Sequence, residues 1–396
     1  MLDVLIAGAG PTGAIAARHL ARAGARVLLV DRDTFPREKL CGDTLNPGAL
    51  RLLDTIGLSG GPLSTALPLV GMRVTGPGVS VEARYGGGRV GLSVTRRALD
   101  AWLVEQAVAA GARFEAGLAV QGALVQDERG SRTVRGLILR DGAGTITRMP
   151  ASVTIGADGR RSAVARSVGV GSHPARPRRW AYGTYFLGSV GSVGSVGSVG
   201  SVGSSGSSDS SGSVGEMHIR PGWYCGVAPL PDGRVNVCVV TDRREGADDP
   251  LGLIRRHLES DRELRARFAG AECVAPVAVL GPLAVDVPTP GVTGLLLAGD
   301  AAGFVDPMTG DGIHLAMQGA VLAADEALHV LESGDWNGAV ARLNEKRKMV
   351  LGSKLAFNRA LRALTSSAAA VRLAGGMARV APGVLRRLIV RAGDAA

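Results

Sequence analysis

Apolar and polar positions follow two different periods along the chain. Val4–Ala7 is a short apolar run, Ala14–Ala23 is rich in Ala with neither Pro nor Gly, and Val27–Val30 is apolar again. That order reads strand, helix, strand. A second helix is expected over Thr95–Ala110, with Gly111 as its C-cap. Residues 113–156 read as short strands with turns at Asp127–Gly130 and Asp141–Gly142, the pattern of an antiparallel meander. Trp180–Asp242 reads as a further set of strands, Pro250–Phe268 as helix and Leu295–Ala298 as an apolar strand, and the chain is mostly helix from Gly312 onward.

One segment breaks the pattern. From Gly188 to Gly215 the triplet S-V-G occurs five times in a row and then gives way to a Ser/Gly-rich tract. Glycine at every third position without proline does not make a triple helix. The composition is that of a flexible loop carried between two strands. The rival reading is a mobile lid over a substrate site.

Composition adds three constraints. With 396 residues, 46% of them hydrophobic, the chain can bury a substantial core, so disorder throughout is excluded. The net charge of +10 raises the question of nucleic acid or an anionic surface. Its location answers part of that question: from Asn337 onward there are 12 basic residues against Glu345 and Asp394, and the remainder is neutral. Nucleic acid is therefore not an expected partner. Cys41, Cys225, Cys238 and Cys273 have neither C-x-x-C spacing nor a His partner, so no metal site and no disulfide framework is expected. The apolar N-terminus lacks a basic n-region, and no stretch of 18 apolar residues is free of charge, so a cytoplasmic location is expected.

The most specific motif is Gly8-Ala-Gly10-Pro-Thr-Gly13, which follows the first expected strand and opens the first helix. Asp31 ends the second strand 18 residues after Gly13, near the roughly 20-residue spacing of a dinucleotide-binding unit. Gly8 permits the tight turn, Gly10 lets a pyrophosphate approach the backbone and Gly13 allows close helix–strand packing. The helix N-terminus supplies unpaired N–H groups, and Asp31 can accept hydrogen bonds from a ribose. Two further acidic turns follow apolar strands, at Asp158-Gly159 and at Gly299-Asp300.

With these three motifs in this order, the chain resembles the FAD-binding superfamily of p-hydroxybenzoate hydroxylase, which includes flavin monooxygenases, flavin-dependent halogenases and geranylgeranyl reductases. The resemblance covers residues 2–320 apart from the insert. It implies an α/β fold, with a Rossmann-type, glutathione-reductase-like FAD-binding domain, an inserted antiparallel β-sheet substrate domain and a helical C-terminus. The FAD-binding domain is expected at 1–70, 90–175 and 290–330, the substrate domain at 71–89 and 176–289, and a basic helical region at 331–396.

The resemblance also implies roles. Asp300, with Gly299, would hold the ribityl chain of FAD. Arg96, in the pattern R-x-x-x-D-x-x-L with Asp100, would meet the pyrophosphate, and Asp158 would support the phosphate loop. Arg32, Cys41, Gly42, Pro307, Gly310 and Gly312 complete the expected cofactor contacts. Gly310-Asp311-Gly312 precedes an apolar helix whose positive end could face the flavin pyrimidine ring and stabilise the anionic reduced flavin.

Cys41-Gly42 occupies the place of a Cys-Gly pair in the geranylgeranyl reductase branch, and Gly303 stands where hydroxylases normally carry His. Both favour the reductase branch. Pro221–Pro229 resembles the P-x-x-Y-x-W-x-F-P motif of those reductases, but Gly226 and Ala228 replace its Trp and Phe, which puts the substrate in doubt. Trp180, Tyr182, Tyr185, Phe186, Trp223 and Tyr224 flank the insert and are expected to line an apolar pocket, or else to pack across strands. Tyr224 or His218 is the candidate proton donor there, and Cys41 and His314 are the other catalytic candidates.

The expected activity is hydride delivery from reduced FAD to a double bond of an apolar isoprenoid-like or polyketide-like molecule, with NADPH or NADH as a transient donor. Flavin-dependent hydroxylation is the alternative, and a non-catalytic prenyl or flavin binder a third. The tail from Arg342 to Arg391 alternates cations with apolar positions. It suggests a peripheral membrane contact or an acidic carrier-protein contact, against a plainly solvated face.

Overall fold

The computed structural model describes residues 2–128, 131–175, 178–188, 212–242, 244–246 and 248–393. They form two compact units, each assembled from three separate stretches of chain. The first comprises Met1–Lys39, Arg96–Arg178 and Pro282–Arg362; the second comprises Leu40–Thr95, Arg179–Gly281 and Ala363–Ala396.

Among the described residues, the first unit holds an eight-stranded sheet. Its spine runs in the order Gly291–Val292, Leu295–Leu297, Ile146–Gly156, Leu2–Ala7, Val27–Asp31, Arg113–Ala116. The central strands are parallel, with Val4 opposite Val27 and Val153, and Gly156 opposite Leu297. Val27–Asp31 and Leu295–Leu297 are buried at every position, as expected of parallel strands covered on both faces. The helix Pro11–Arg22 makes the crossover and packs against the helix Gly312–Ser333. Ala14, Ala16 and Ala17 on one, with Ala320, Ala323 and Ala324 on the other, are fully buried, so small side chains line this packing.

Ile146–Gly156 belongs to two ladders at once. Residues 146–150 pair antiparallel with Ser131–Arg140, and residues 151–156 pair parallel with the first strand. Pro150, which has no N–H to donate, stands at the change. The expected meander is thus confined to Ala119–Gly156, while Arg113–Ala116 joins the parallel sheet beside Val27–Asp31.

The second unit holds ten strands among the described residues. Trp180–Leu187, Val235–Thr241, Trp223–Pro229 and Ser213–Arg220 are antiparallel neighbours, and Ser213–Arg220 then pairs parallel with Leu67–Gly76. The helices Pro250–Ser260 and Arg262–Arg267 cover one face, packing Leu253, Ile254, Leu258 and Leu264 on Tyr182, Phe186 and Val237. A single helix was expected over Pro250–Phe268. It breaks at Asp261, whose extended backbone and carboxylate cap the second piece by accepting N–H bonds from Glu263 and Leu264, both 3.0 Å.

The expected domain boundaries need correction. Residues 40–70 join the second unit, because Thr44–Leu45 pairs with Gly91–Ser93 and Leu67–Gly76 belongs to the large sheet. The basic C-terminus is not a region apart. Residues up to Arg362 belong to the first unit, and the helix Pro382–Ala392 packs Leu385 and Ile389 on Val81 and Ala83 of the second. Ser213–Gly215, assigned to the insert, lie in a strand, and the S-V-G repeat itself is outside the described residues.

Candidate functional site

The C-terminal ends of the parallel strands gather the motifs. Gly8 has φ +92, and a Cβ there would lie 2.6 Å from the Ala157 carbonyl oxygen and 2.8 Å from Asp158 Cα. A Cβ on Gly13 would collide with the Gly8 carbonyl. Both glycines are therefore demanded by backbone against backbone. Asp31 is 8% exposed and braces the loop directly: one oxygen accepts the N–H of Ala9 (2.7 Å), the other that of Asp33 (3.0 Å). Each carboxylate oxygen keeps a second lone pair for a ribose hydroxyl. The helix Pro11–Arg22 has Gly10 as N-cap and no side-chain cap, so its first N–H groups remain available to an anion.

Two guanidinium groups flank that N-terminus. A Cβ on Gly10 would lie 3.7 Å from Arg37 Nη2 and 3.8 Å from Arg96 Nη2. Asp100, fully buried, accepts both Nε (2.7 Å) and Nη2 (2.8 Å) of Arg96 and pairs with Arg37 Nη2 at 3.2 Å. Nε and Nη1 of Arg37 are buried without a hydrogen-bond partner. Two cations at Asp100, Arg37 also lying 3.7 Å from Asp33, with Arg37 N–H groups that make no hydrogen bond beside a glycine and a helix N-terminus, fit a diphosphate. Arg96, expected at the pyrophosphate, is one of these two cations. Arg37 was missed, and Arg32, named instead, has a side chain 69% exposed beside Asp33. Asp100 is the signal that could have found Arg37, since a fully buried carboxylate recruits more than one cation.

Arg37→Ala is expected to weaken FAD binding roughly tenfold or more, the loss of a charge-assisted contact. Titration of the apoprotein by flavin fluorescence checks this. The thermal midpoint of the apoprotein should be unchanged or higher, because the side chain carries buried unpaired donors.

Asp158 turns its carboxylate into the fold. Oδ2 accepts the N–H groups of Ala163 (2.7 Å) and Val164 (3.3 Å) at the start of the helix Ala163–Ser167, and burial raises its pKa above the ordinary carboxylate range. Its Cα abuts Gly8, so its backbone packs against the glycine turn.

Gly299 has φ +58 and packs against the Thr12 side chain, which brings the turn Gly299–Ala302 to the N-terminus of the first helix. Asp300 borders a pocket and keeps some surface, yet it lies deep. Burial pushes its carboxyl up, against the opposing pull of Arg96, Arg160 and Lys39. Arg160 donates to the Pro282 carbonyl at 2.8 Å, and burial lowers its pKa to about 10.

Pro307 and Gly310 form the turn that leads into the 22-residue helix Gly312–Ser333, with the Gly310 N–H on the Pro307 carbonyl (3.1 Å). Asp311, at the N-cap, makes no cap hydrogen bond. Its Oδ1 accepts from Lys354 Nζ at 2.7 Å. His314 is buried in the first turn and does not line the pocket beside Asp300.

That pocket is lined by Gly299, Asp300, Gly312, Leu315, Arg347 and Asn358, among others. It joins the position expected for the ribityl chain to the one expected for the pyrimidine ring. Arg347 donates to the Ala302 carbonyl (2.7 Å), has no carboxylate partner among the described residues, and has its pKa lowered by burial to about 10. Asn358 is 4% exposed, and its Oδ1 has no hydrogen-bond partner. Neither residue is marked in the sequence, where Arg347 sits in the run E-K-R-K and reads as solvated helix surface.

Cys41, Gly42 and Tyr224 belong to the second unit. Asp43, with φ +53 and no exposure, accepts hydrogen bonds on Oδ2 from Tyr185 Oη and Asn236 Nδ2, both 2.7 Å. Asn236 Nδ2 also donates to the Cys41 carbonyl at 2.9 Å. The Cys41–Asp43 turn is thereby held on one face of the large sheet, and Cys41 itself is half-buried. The sequence does not mark this group of residues, since Asp43 and Asn236 lie 193 positions apart.

The six aromatic residues do not share a face. Trp180, Tyr182, Phe186 and Trp223 pack toward the helices of the second unit, with Tyr182 Oη on the Glu245 carbonyl. Tyr185 and Tyr224 point to the opposite side. Strand alternation divides them, because Tyr185 and Phe186, like Trp223 and Tyr224, are sequence neighbours. Tyr224 is 4% exposed beneath the Arg179 guanidinium, a packed position. His218 is buried on the helix side, with Nε2 on Glu216 (3.0 Å) and Nδ1 on Thr75 Oγ1 (2.9 Å). Burial alone would raise the Glu216 pKa, but His218 and Arg267 hold it below the ordinary range. His218 is thus part of a buried ionic network and not a proton donor at the Cys41 face.

A family model described as FAD binding domain matches residues 1–182. The chain is 32% identical over 328 residues to the menaquinone reductase of Mycobacterium tuberculosis, covering 82% of this chain and 76% of that one. It is 29% identical over 340 residues to the digeranylgeranylglycerophospholipid reductase of Methanosarcina acetivorans, covering 84% and 76%. Among solved structures it superposes on a geranylgeranyl bacteriochlorophyll reductase-like protein from Thermoplasma acidophilum with TM-score 0.73 and 22% identity, over 98% of each chain. It also superposes on a flavin-dependent brominase with TM-score 0.80 and 18% identity, over 100% of this chain and 93% of that one. At these identities the structural matches establish the fold.

Proposed function

Because this chain belongs to the FAD-binding family of flavin-dependent oxidoreductases, we propose that it reduces a carbon–carbon double bond in an apolar, isoprenoid-like molecule. The observation that carries this reading is the reach of the similarity. It spans four-fifths of the chain, both units included, to proteins named as reductases of compounds with isoprenoid chains. Gly303 supports it from the fold: with φ +119 the backbone there disfavours the His expected of a hydroxylase.

Bound and reduced, FAD supplies the hydride for such a bond. The chain supplies the rest. Arg37, Arg96 and the N-terminus of Pro11–Arg22 would hold the diphosphate, Asp300 the ribityl chain and Asp31 the ribose. The uncapped end of Gly312–Ser333 provides positive potential for the negative charge of the reduced ring. A proton must reach the carbon next to the one that receives hydride. Within the second unit, Cys41 Sγ and Tyr185 Oη are groups able to hold a proton, the phenol donating to Asp43. NADPH or NADH acts as a transient donor, and the reaction runs in the cytoplasm.

The test is an anaerobic assay with dithionite-reduced protein and menaquinone or a geranylgeranyl lipid, read by mass spectrometry. A gain of two hydrogens without oxygen is expected. Product that forms only with oxygen, and carries an oxygen atom, overturns the reading in favour of hydroxylation. Tyr185→Phe is expected to lower turnover roughly 100-fold, the scale of general-acid catalysis, with flavin content unchanged.

A further inference from the structure

The cations beyond Arg362 have no part in the site described above, and they lie on an unusual surface. The helix Ala368–Val380 buries Val371 and lays Gly375 against the Pro77 carbonyl. Its opposite side exposes Leu373 (68%), Met377 (65%) and Val380 (88%), spaced i, i+4 and i+7. The helix Pro382–Ala392 repeats the arrangement. Leu385 and Ile389 pack inward on Val81 and Ala83, and Val384 (58%) and Leu388 stand outward. Each helix is therefore apolar on two sides, and only one side of each is covered by the fold.

By helical position Arg372, Arg387 and Arg391 border the uncovered stripe. Arg372, Arg386, Arg387 and Arg391 are exposed and form no ion pair among the described residues. No acidic residue occurs from Lys346 to Gly393. Arg372 and Arg387 each precede an outward leucine and so lie about 100° around the helix from it, close enough to carry charge beside the apolar row.

We infer that these two helices form a membrane-docking surface selective for anionic lipid headgroups. The apolar row enters the boundary between headgroups and acyl chains while the arginines meet phosphate. Charge decides against a second copy of the chain, since two such faces would oppose cation to cation with no acid between them. Shape decides against a folded acidic protein: Val380 protrudes at the corner between the helices, which a fluid surface accepts more readily than a fixed one. Among the described residues no helix is long and apolar enough to cross a membrane, so the contact is peripheral. The inference is independent of the reductase reading.

Vesicle sedimentation of the full-length flavoprotein tests it, with pure phosphatidylcholine against an equimolar mixture with phosphatidylglycerol. Wild type is expected to pellet with the mixed vesicles and to stay in solution with the neutral ones. Arg387→Gln/Arg391→Gln is expected to weaken partitioning about 10- to 30-fold, and added salt should do the same to wild type. Leu373→Ser/Met377→Ser/Val380→Ser should abolish it. These side chains are exposed, so flavin content and thermal midpoint stay at wild-type values and show that each variant is folded. Wild type remaining in solution with both vesicles overturns the inference. So does vesicle binding that both variants retain, or a dimer that either variant dissociates, which would assign the face to self-association.

Discussion

Asp300→Ala is expected to yield folded protein that binds FAD roughly 10- to 150-fold more weakly than wild type. The range corresponds to loss of a hydrogen-bonded charged group worth about 1.5–3 kcal/mol. Asp300 sits in a turn where Gly299 packs on Thr12, so its carboxyl is delivered to the end of the first helix by backbone geometry. Arg96, Arg160 and Lys39 act on it from nearby, yet burial outweighs them and raises its pKa. A carboxylate held there without ligand is a cost to the empty protein. The consequence is a separation of stability from binding. Below the ordinary carboxylate pKa of 3.8, Asp300 is protonated whether the chain is folded or not, and contributes nothing. As pH rises from 3.8 to the raised folded value, the unfolded chain loses the proton first and stability falls; above that value the penalty is constant. Asp300→Asn removes this contribution. At neutral pH its apoprotein should melt higher than wild-type apoprotein, the difference should vanish toward pH 3, and its FAD affinity should still be lower. Thermal melts of both apoproteins across that range, with flavin titrations, measure all three. An apoprotein destabilised at neutral pH would show that Asp300 serves the fold and not the ligand.

The glycine loop yields the second large effect, and here two neighbouring glycines should fail in different ways. Gly13→Ala places a methyl group against the Gly8 carbonyl, and neither the strand nor the helix can retreat because both are packed in the parallel core. Overpacking against backbone costs about 3 kcal/mol or more, so this variant should be recovered in low yield, without flavin and with a lowered melting point. Gly10→Ala meets nothing closer than 3.7 Å in the empty site. Its apoprotein should melt like wild type. The added methyl group occupies the space between the Arg37 and Arg96 guanidinium groups, where a diphosphate would approach, so FAD should be lost from a stable protein. If Gly10→Ala retained flavin at wild-type affinity, the diphosphate would not lie between these two arginines.

The residues legible in the sequence are those whose chemistry is settled by near neighbours. Gly8, Gly10 and Gly13 are specified within six residues, because a strand that turns directly into a helix over a phosphate demands them at that spacing. Asp158 and Asp300 each follow an apolar run by a few positions. The parallel strands were legible for a related reason: strands buried on both faces must be apolar throughout, as Val27–Asp31 is.

Other features lay beyond that range. Whether Arg37 or Arg32 turns toward Gly10 depends on a buried carboxylate at Asp100, some 60 positions away. The aromatic residues looked like one cluster because they crowd two short segments, but alternation along each strand sends them to opposite faces. His218 reads as a free titratable group until Glu216 and Arg267 close around it. The basic tail reads as a separate region, whereas its last helix completes the apolar packing of Val81 and Ala83.

By itself, then, the sequence determined the fold class and the glycine turn of a dinucleotide-binding unit, since backbone conformation at a turn is a local property written in consecutive residues. Its resemblance to a known family identified the cofactor as FAD. Tertiary structure decided which cations flank Gly10, that Asp43, Tyr185 and Asn236 stand together, that Arg347 and Asn358 border the pocket, and which side of the last two helices stays bare. Those outcomes depend on what is buried against what, and burial is settled by contacts between residues that are distant along the chain.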